Sequence, residues 1–208
     1  MKSQEIREYV TRWLQNIEAM PENRRRAELA RVRRGIGKEP GELPELWGSF
    51  LREMDESFFG EDSPSKEEWA VYLTITLYAM HQQSQKDSVN CKGNTLGRAV
   101  RTLAESTVSA GQDWAESSVL RRFNALATAD SMPEISHYLR GMIQMMRSAK
   151  NGCIPLDYPQ LAVDLYELQI ELDGQRPAEE LPHVRLRWGQ DLYRGKSSEE
   201  AEAEKKEN

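Results

Sequence analysis

Cysteine is nearly absent from this chain of 208 residues: only Cys91 and Cys153 occur, in no CxxC spacing. That argues against a disulfide framework and for two free thiols in a reducing compartment, the cytoplasm. Histidine is as scarce. His81, His137 and His183 form neither an HExxH motif nor an i, i+4 pair, and no carboxylates accompany them at ligand spacing, so no metal and no cofactor are expected. No GxxxxGK[ST] or GxGxxG run is present to cradle a nucleotide phosphate. Nor does any stretch approach the roughly 18 apolar residues of a membrane span, and the start Met1-Lys2-Ser3-Gln4-Glu5 is polar. The expectation is a protein that is neither exported nor membrane-bound.

Catalytic groups are missing too. Gly93-Asn94-Thr95-Leu96-Gly97 has the outline of a nucleophile elbow with Thr for Ser. An elbow needs a buried strand before it, and residues 86–92 read as a polar loop, so Thr95 is expected to cap a helix. Glu116, Asp157 and Asp164 are expected near helix starts or on outer faces, where capping and the macrodipole account for them. No acid/base or nucleophilic role attaches to any residue.

Strand alternation never persists beyond a few residues, whereas helical periodicity runs through the chain. Ser3 is positioned to cap a first helix with Ile6, Tyr9, Val10, Trp13, Leu14 and Ile17 on one face, and Pro21 stands where a second can start. That second helix stops near Gly35 and Gly37. A short third follows the Pro40, Gly41, Pro44 loop, with Leu46, Trp47, Phe50, Leu51 and Met54 inside. Ser65 with Glu68 is a capping-box signature opening the strongest helix, in which Trp69, Tyr72, Leu73, Thr76, Leu77 and Met80 share one side while Val71, Ile75 and Tyr78 make the other apolar. Burial nearly all round follows.

Further helices are expected from Thr95, over residues 119–129, 133–150 and 159–172, started by Ser117 or Ser118, Ser131 with Glu134, and Asp157 with Gln160. The class is all-α, organised as two small helical bundles packed together, residues 1–105 and 106–195. Residues 196–208 carry no large apolar side chain and read as a disordered acidic tail.

The formal net charge of −6 disfavours nucleic acid as a partner, but the average hides a separation. Residues 24–38 carry Arg24, Arg25, Arg26, Arg31, Arg33, Arg34 and Lys38, while residues 39–68 are strongly acidic. On later helices Arg140, Gln144 and Arg147 stack at i, i+4, i+7, Arg98 and Arg101 share a face, and Arg121 and Arg122 have no acid within one turn on their C-terminal side. Arg185, Arg187 and Arg194 close the helical region. Such stripes are either solvated surface or contacts to a polyanion backbone. Aromatics suited to base stacking are few, since Trp13, Trp69, Tyr72 and Phe123 fall on core faces; Trp114 and Tyr138 are the exceptions.

The series Tyr78-Ala79-Met80-His81-Gln82-Gln83, Thr95-Leu96-Gly97-Arg98-Ala99, Arg122-Phe123, Leu139-Arg140, Ile154-Pro155-Leu156-Asp157-Tyr158 with Leu161 and Asp164-Leu165, and Arg187-Trp188-Gly189-Gln190-Asp191-Leu192-Tyr193 resembles the CasB family. These are the small subunits of the type I-E CRISPR surveillance complex, Cascade. The resemblance runs from about Trp13 to Arg194 and departs from the family in Thr95, where the family has serine.

It implies a two-part helical protein without catalytic activity, present in two copies. Its partners would be crRNA and target DNA, the other Cascade protein subunits and the second copy of itself. There it would touch the guide–target backbone and steady the displaced strand of the R-loop. Arg98, Arg101, Arg121, Arg122, Arg140 and Arg147 are the first candidates for backbone contact, followed by Arg24, Arg25, Arg26, Arg31, Arg33, Arg34, Arg185, Arg187 and Arg194. Two other readings stand beside this one: a scaffold whose basic faces dock acidic proteins, and a helical nuclease, for which the carboxylate cluster is missing.

Overall fold

A computed structural model describes residues 2–109, 111–174 and 182–194. Nine α-helices span them: α1 (Lys2–Glu18), α2 (Glu22–Val32), α3 (Trp47–Phe50), α4 (Lys66–His81), α5 (Leu96–Thr107), α6 (Ser118–Thr128), α7 (Met132–Arg147), α8 (Tyr158–Asp173) and α9 (Val184–Tyr193), with short 3-10 turns between some. The all-α expectation holds. Among the described residues β-pairing is limited to one isolated parallel bridge, Asn90 to Leu156, which ties the loop after α4 to the segment before α8. The expected tail, residues 196–208, lies outside the described residues.

The apolar periodicity places the elements as expected. α1 buries Ile6, Tyr9, Val10, Trp13, Leu14 and Ile17, and the polar tips of its rings find backbone partners: Tyr9 Oη donates to Phe50 O (2.6 Å) and Trp13 Nε1 to Ser49 O (2.8 Å). These bonds hold the one-turn α3 against α1 without leaving a buried donor unmatched. α4 starts from a complete capping box: Ser65 Oγ accepts from Glu68 N (3.0 Å) and Glu68 Oε2 from Ser65 N (2.8 Å). Every residue from Ala70 to His81 is buried, while Trp69 is only half so.

Several local expectations yield to tertiary contacts. α1 already includes Lys2, so Ser3 does not cap it; its hydroxyl donates to Glu167 on α8 (3.0 Å). Thr95 occupies the N-cap position of α5 but makes no capping bond, its hydroxyl donating instead to Asp191 on α9 (2.8 Å). Ser131 likewise makes no side-chain cap, and Glu134 accepts from Asp130 N (3.3 Å) rather than closing a box. Trp47 turns outward, 48% exposed. Asp164 is the largest departure. Expected on an outer face, it is 3% exposed, and its carboxylate accepts from Trp188 Nε1 (2.7 Å), Gln160 Nε2 (2.7 Å) and Arg187 (3.1 Å).

Packing does not follow chain order. α8, buried nearly all round at its N-terminal half, lies against α1 and α4, and α5 lies against α6, α7 and α9, so contacts cross the join between residues 105 and 106 in both directions. Two glycines allow the closest approaches. A Cβ on Gly35 would stand 2.6 Å from the Tyr72 hydroxyl, which itself donates to Gly35 O (3.1 Å); one on Gly97 would stand 2.3 Å from Trp188 O, where α5 crosses α9.

Candidate nucleic-acid interface

The last carbonyls of a helix lack intrahelical donors and carry the negative end of its dipole. At the end of α4 two arginines from distant segments supply donors. Arg33, in the 3-10 turn after α2, donates to Ala79 O (3.3 Å), and Arg147, at the end of α7, donates to Met80 O (3.3 Å) and Gln83 Oε1 (2.9 Å). The two positive groups are near enough that Arg33 is held below its ordinary value, first by burial and then by the charge of Arg147. Arg140, two turns earlier on α7, is exposed beside Gly37, where a Cβ would lie 3.6 Å from its Nη1. Among the described residues none of these three arginines has an ion-pair partner.

A second basic cluster surrounds an aromatic pair. Trp114, half-buried between α5 and α6, has the Arg101 guanidinium 3.7 Å over its ring and Tyr193 at 5.3 Å between centroids, tilted 59°. Arg101 also pairs with Glu105 (2.5 Å). Arg121 donates to the carbonyl of Glu116 (3.4 Å), two residues past Trp114, and Arg194 lies 3.8 Å from Asp191.

The remaining candidates divide by how far the fold already compensates their charge. Arg24 and Arg122 are exposed and have no ion-pair partner among the described residues. Arg25 and Arg98 are half-buried. Arg26 pairs with Glu22 and Arg34 with Glu45 (3.7 Å) at the surface, where such pairs are weak and exchange readily, while Arg31 pairs with the half-buried Glu28, which Ser49 also holds. Arg185 donates to Ala129 O (2.7 Å), 4.0 Å from Glu171. Arg187 binds Asp164 (3.1 Å) and Glu167 (2.7 Å), so its charge is compensated inside the α8–α9 contact.

Beneath Arg147 lies a polar chain that resembles a catalytic dyad and has the wrong electrostatics for one. Cys153 Sγ is 3.2 Å from His81 Nε2, and His81 Nδ1 shares a hydrogen bond with the Tyr158 hydroxyl (2.9 Å). Burial first, then the Arg147 charge, pulls His81 down to about 4, while burial pushes the Cys153 thiol up. An activated thiolate needs the opposite shifts. Both groups are held neutral. No group of three His, Cys, Asp or Glu side chains able to hold a metal ion occurs among the described residues, and none of the described helices is long and apolar enough to cross a membrane.

Sequence spacing found the α7 stripe but not its meeting with Arg33, which depends on where α2 ends relative to α4. It also passed over Tyr193, whose ring is 66% exposed at the end of α9.

The model of the CRISPR-associated protein Cse2 family matches residues 28–193. CasB from Thermobifida fusca is similar in structure, at 27% identity and a TM-score of 0.65, over 93% of this chain and 98% of that one. CasB from M. ruber is similar at 25% identity and a TM-score of 0.62, over 98% of both chains. No curated protein matches.

Proposed function

This chain belongs to the Cse2 family of CRISPR-associated proteins, and from that premise we propose that it is the small, non-catalytic subunit of a type I-E Cascade complex in antiviral defence. In this role it binds nucleic-acid backbone without reading sequence, steadying the guide–target R-loop and the displaced DNA strand. Its partners are crRNA, target DNA, the other protein subunits and a second copy of itself, in the cytoplasm.

The observation that carries this reading is the meeting of Arg33 and Arg147 on the last carbonyls of α4, with Arg140 exposed beside Gly37 two turns earlier on α7, and no carboxylate ion-paired to any of the three among the described residues. Guanidinium charge is permanent, and its planar donors match phosphate oxygens. Contacts of this kind gain affinity by releasing counterions and carry no base information, as a complex reprogrammed by each guide requires. R-loop formation exchanges one duplex for another of similar stability, so a few such contacts are enough to favour the open state.

A scaffold reading draws support from Trp47 and Phe59, 48% and 44% exposed within the acidic segment 39–68. Capture of the tagged full chain from cells, with and without nuclease treatment, separates the two. Retention of crRNA that disappears together with the protein partners after nuclease supports backbone binding; protein partners that survive nuclease, with no crRNA retained beforehand, support the scaffold.

A further inference from the structure

We propose that Trp114 and Tyr193, with Arg101, Arg121 and Arg194 around them, form a stacking site for one unpaired nucleobase and its flanking phosphates. This inference rests on the nucleic-acid reading above and adds to it a preference for single strands.

The site is built rather than incidental. Tyr193 is 66% exposed, yet its ring is steadied by the Trp114 ring 5.3 Å away. α9, which carries it, is fastened by the buried Trp188, by the Thr95–Asp191 hydrogen bond and by the close crossing at Gly97. The Arg101 guanidinium covers one face of the indole, which leaves the Tyr193 ring as the open platform.

Phosphate ligands are at hand. Among the described residues, the exposed Arg121 donates to one backbone carbonyl, and Arg194, 65% exposed, makes a long contact to Asp191. Glu105 and Asp191 temper Arg101 and Arg194, but each pair keeps one side chain at the surface, where ion pairs are weak and exchange toward a polyanion. An aromatic face ringed by guanidinium groups suits single-stranded nucleic acid, in which every base offers a π-face; in a duplex those faces are already stacked. An apolar protein segment is the other candidate occupant, and the charged rim disfavours it.

The test titrates the full-length chain with an oligo-dT strand and with an abasic strand of equal length, reading anisotropy. The wild type should bind oligo-dT at least about fivefold tighter. Tyr193→Ala should bring the ratio to about one while leaving the abasic affinity unchanged, and Tyr193→Phe should retain it. Equal binding of both strands by the wild type, a ratio that survives Tyr193→Ala, or a ratio lost in Tyr193→Phe overturns the stacking site. The Arg140→Ala/Arg147→Ala variant keeps the two readings apart: weaker abasic binding with a wild-type ratio near one leaves the phosphate reading standing without the platform. Unchanged abasic binding with an intact ratio does the reverse, and no binding to either strand removes both.

Discussion

Arg33 and Arg147 donate to consecutive carbonyls, Ala79 O and Met80 O, at the end of the central helix α4. Two like charges share one helix terminus, with Arg140 exposed nearby and no carboxylate paired to any of them among the described residues. The helix dipole offsets part of the repulsion, and an incoming phosphate would offset more.

Replacing Arg140 and Arg147 together by alanine should weaken binding to all single strands alike. The slope of log K against log salt should flatten by about 0.7 per lost phosphate contact. Anisotropy titrations across salt concentrations on unrelated sequences check this; equal slopes, or a loss confined to some sequences, would count against it.

The α8–α9 contact depends on a buried acid. Trp188→Phe removes the indole donor to Asp164 and keeps most of the ring, so it should cost about 2 kcal/mol, the penalty of a buried acceptor left short of a partner. Urea denaturation measures this cost. A variant as stable as the wild type would show that Gln160 and Arg187 suffice.

His81 sets a pH dependence. Its folded value is lowered from 6.5 to about 4, so the unfolded chain takes up the proton first as pH falls. The contribution is complete above about pH 6.5, and it is lost as pH falls toward 4, amounting to about 3 kcal/mol in total. The groups facing the ring, Tyr158, Cys153 and Arg147, offer no carboxylate to stabilise an imidazolium. His81→Gln should therefore be less sensitive than the wild type between pH 7 and about pH 5 in paired denaturation curves. Parallel pH profiles would contradict the assignment.

Two glycines should respond with opposite sign. Gly97→Ala drives a Cβ against the Trp188 carbonyl and should cost about 1–3 kcal/mol or more, because backbone cannot step aside. Gly141→Ala meets nothing within 4 Å on α7 and should stabilise by about 0.5–1 kcal/mol. Thermal melts of both variants decide the point.

What the sequence made legible was what neighbouring residues determine. The α4 capping box is written in Ser65 and Glu68, and the buried faces of α1 and α4 follow from apolar spacing. The hydroxyls of Ser3 and Thr95 look like caps by the same local logic, yet distant carboxylates, Glu167 and Asp191, compete successfully for them. Asp164 reads as a surface acid until α9 crosses it with Trp188 and Arg187. The candidate interface divides the same way. Arg140 and Arg147 lie on one helical stripe and are visible together, whereas Arg33 joins them only through tertiary packing, and the compensation of Arg187 depends on α8.

The central claim is that this chain steadies an open R-loop through arginines that no carboxylate pairs among the described residues, and the lifetime of the displaced strand tests it most directly. Wild-type protein and the Arg140→Ala/Arg147→Ala variant would each be added to guide-loaded Cascade lacking its small subunit, with target DNA bound, and strand protection followed over time. The account predicts that both join the complex and that only the wild type prolongs the open state. Equal lifetimes with the two proteins, or failure of the wild type to join, would contradict it.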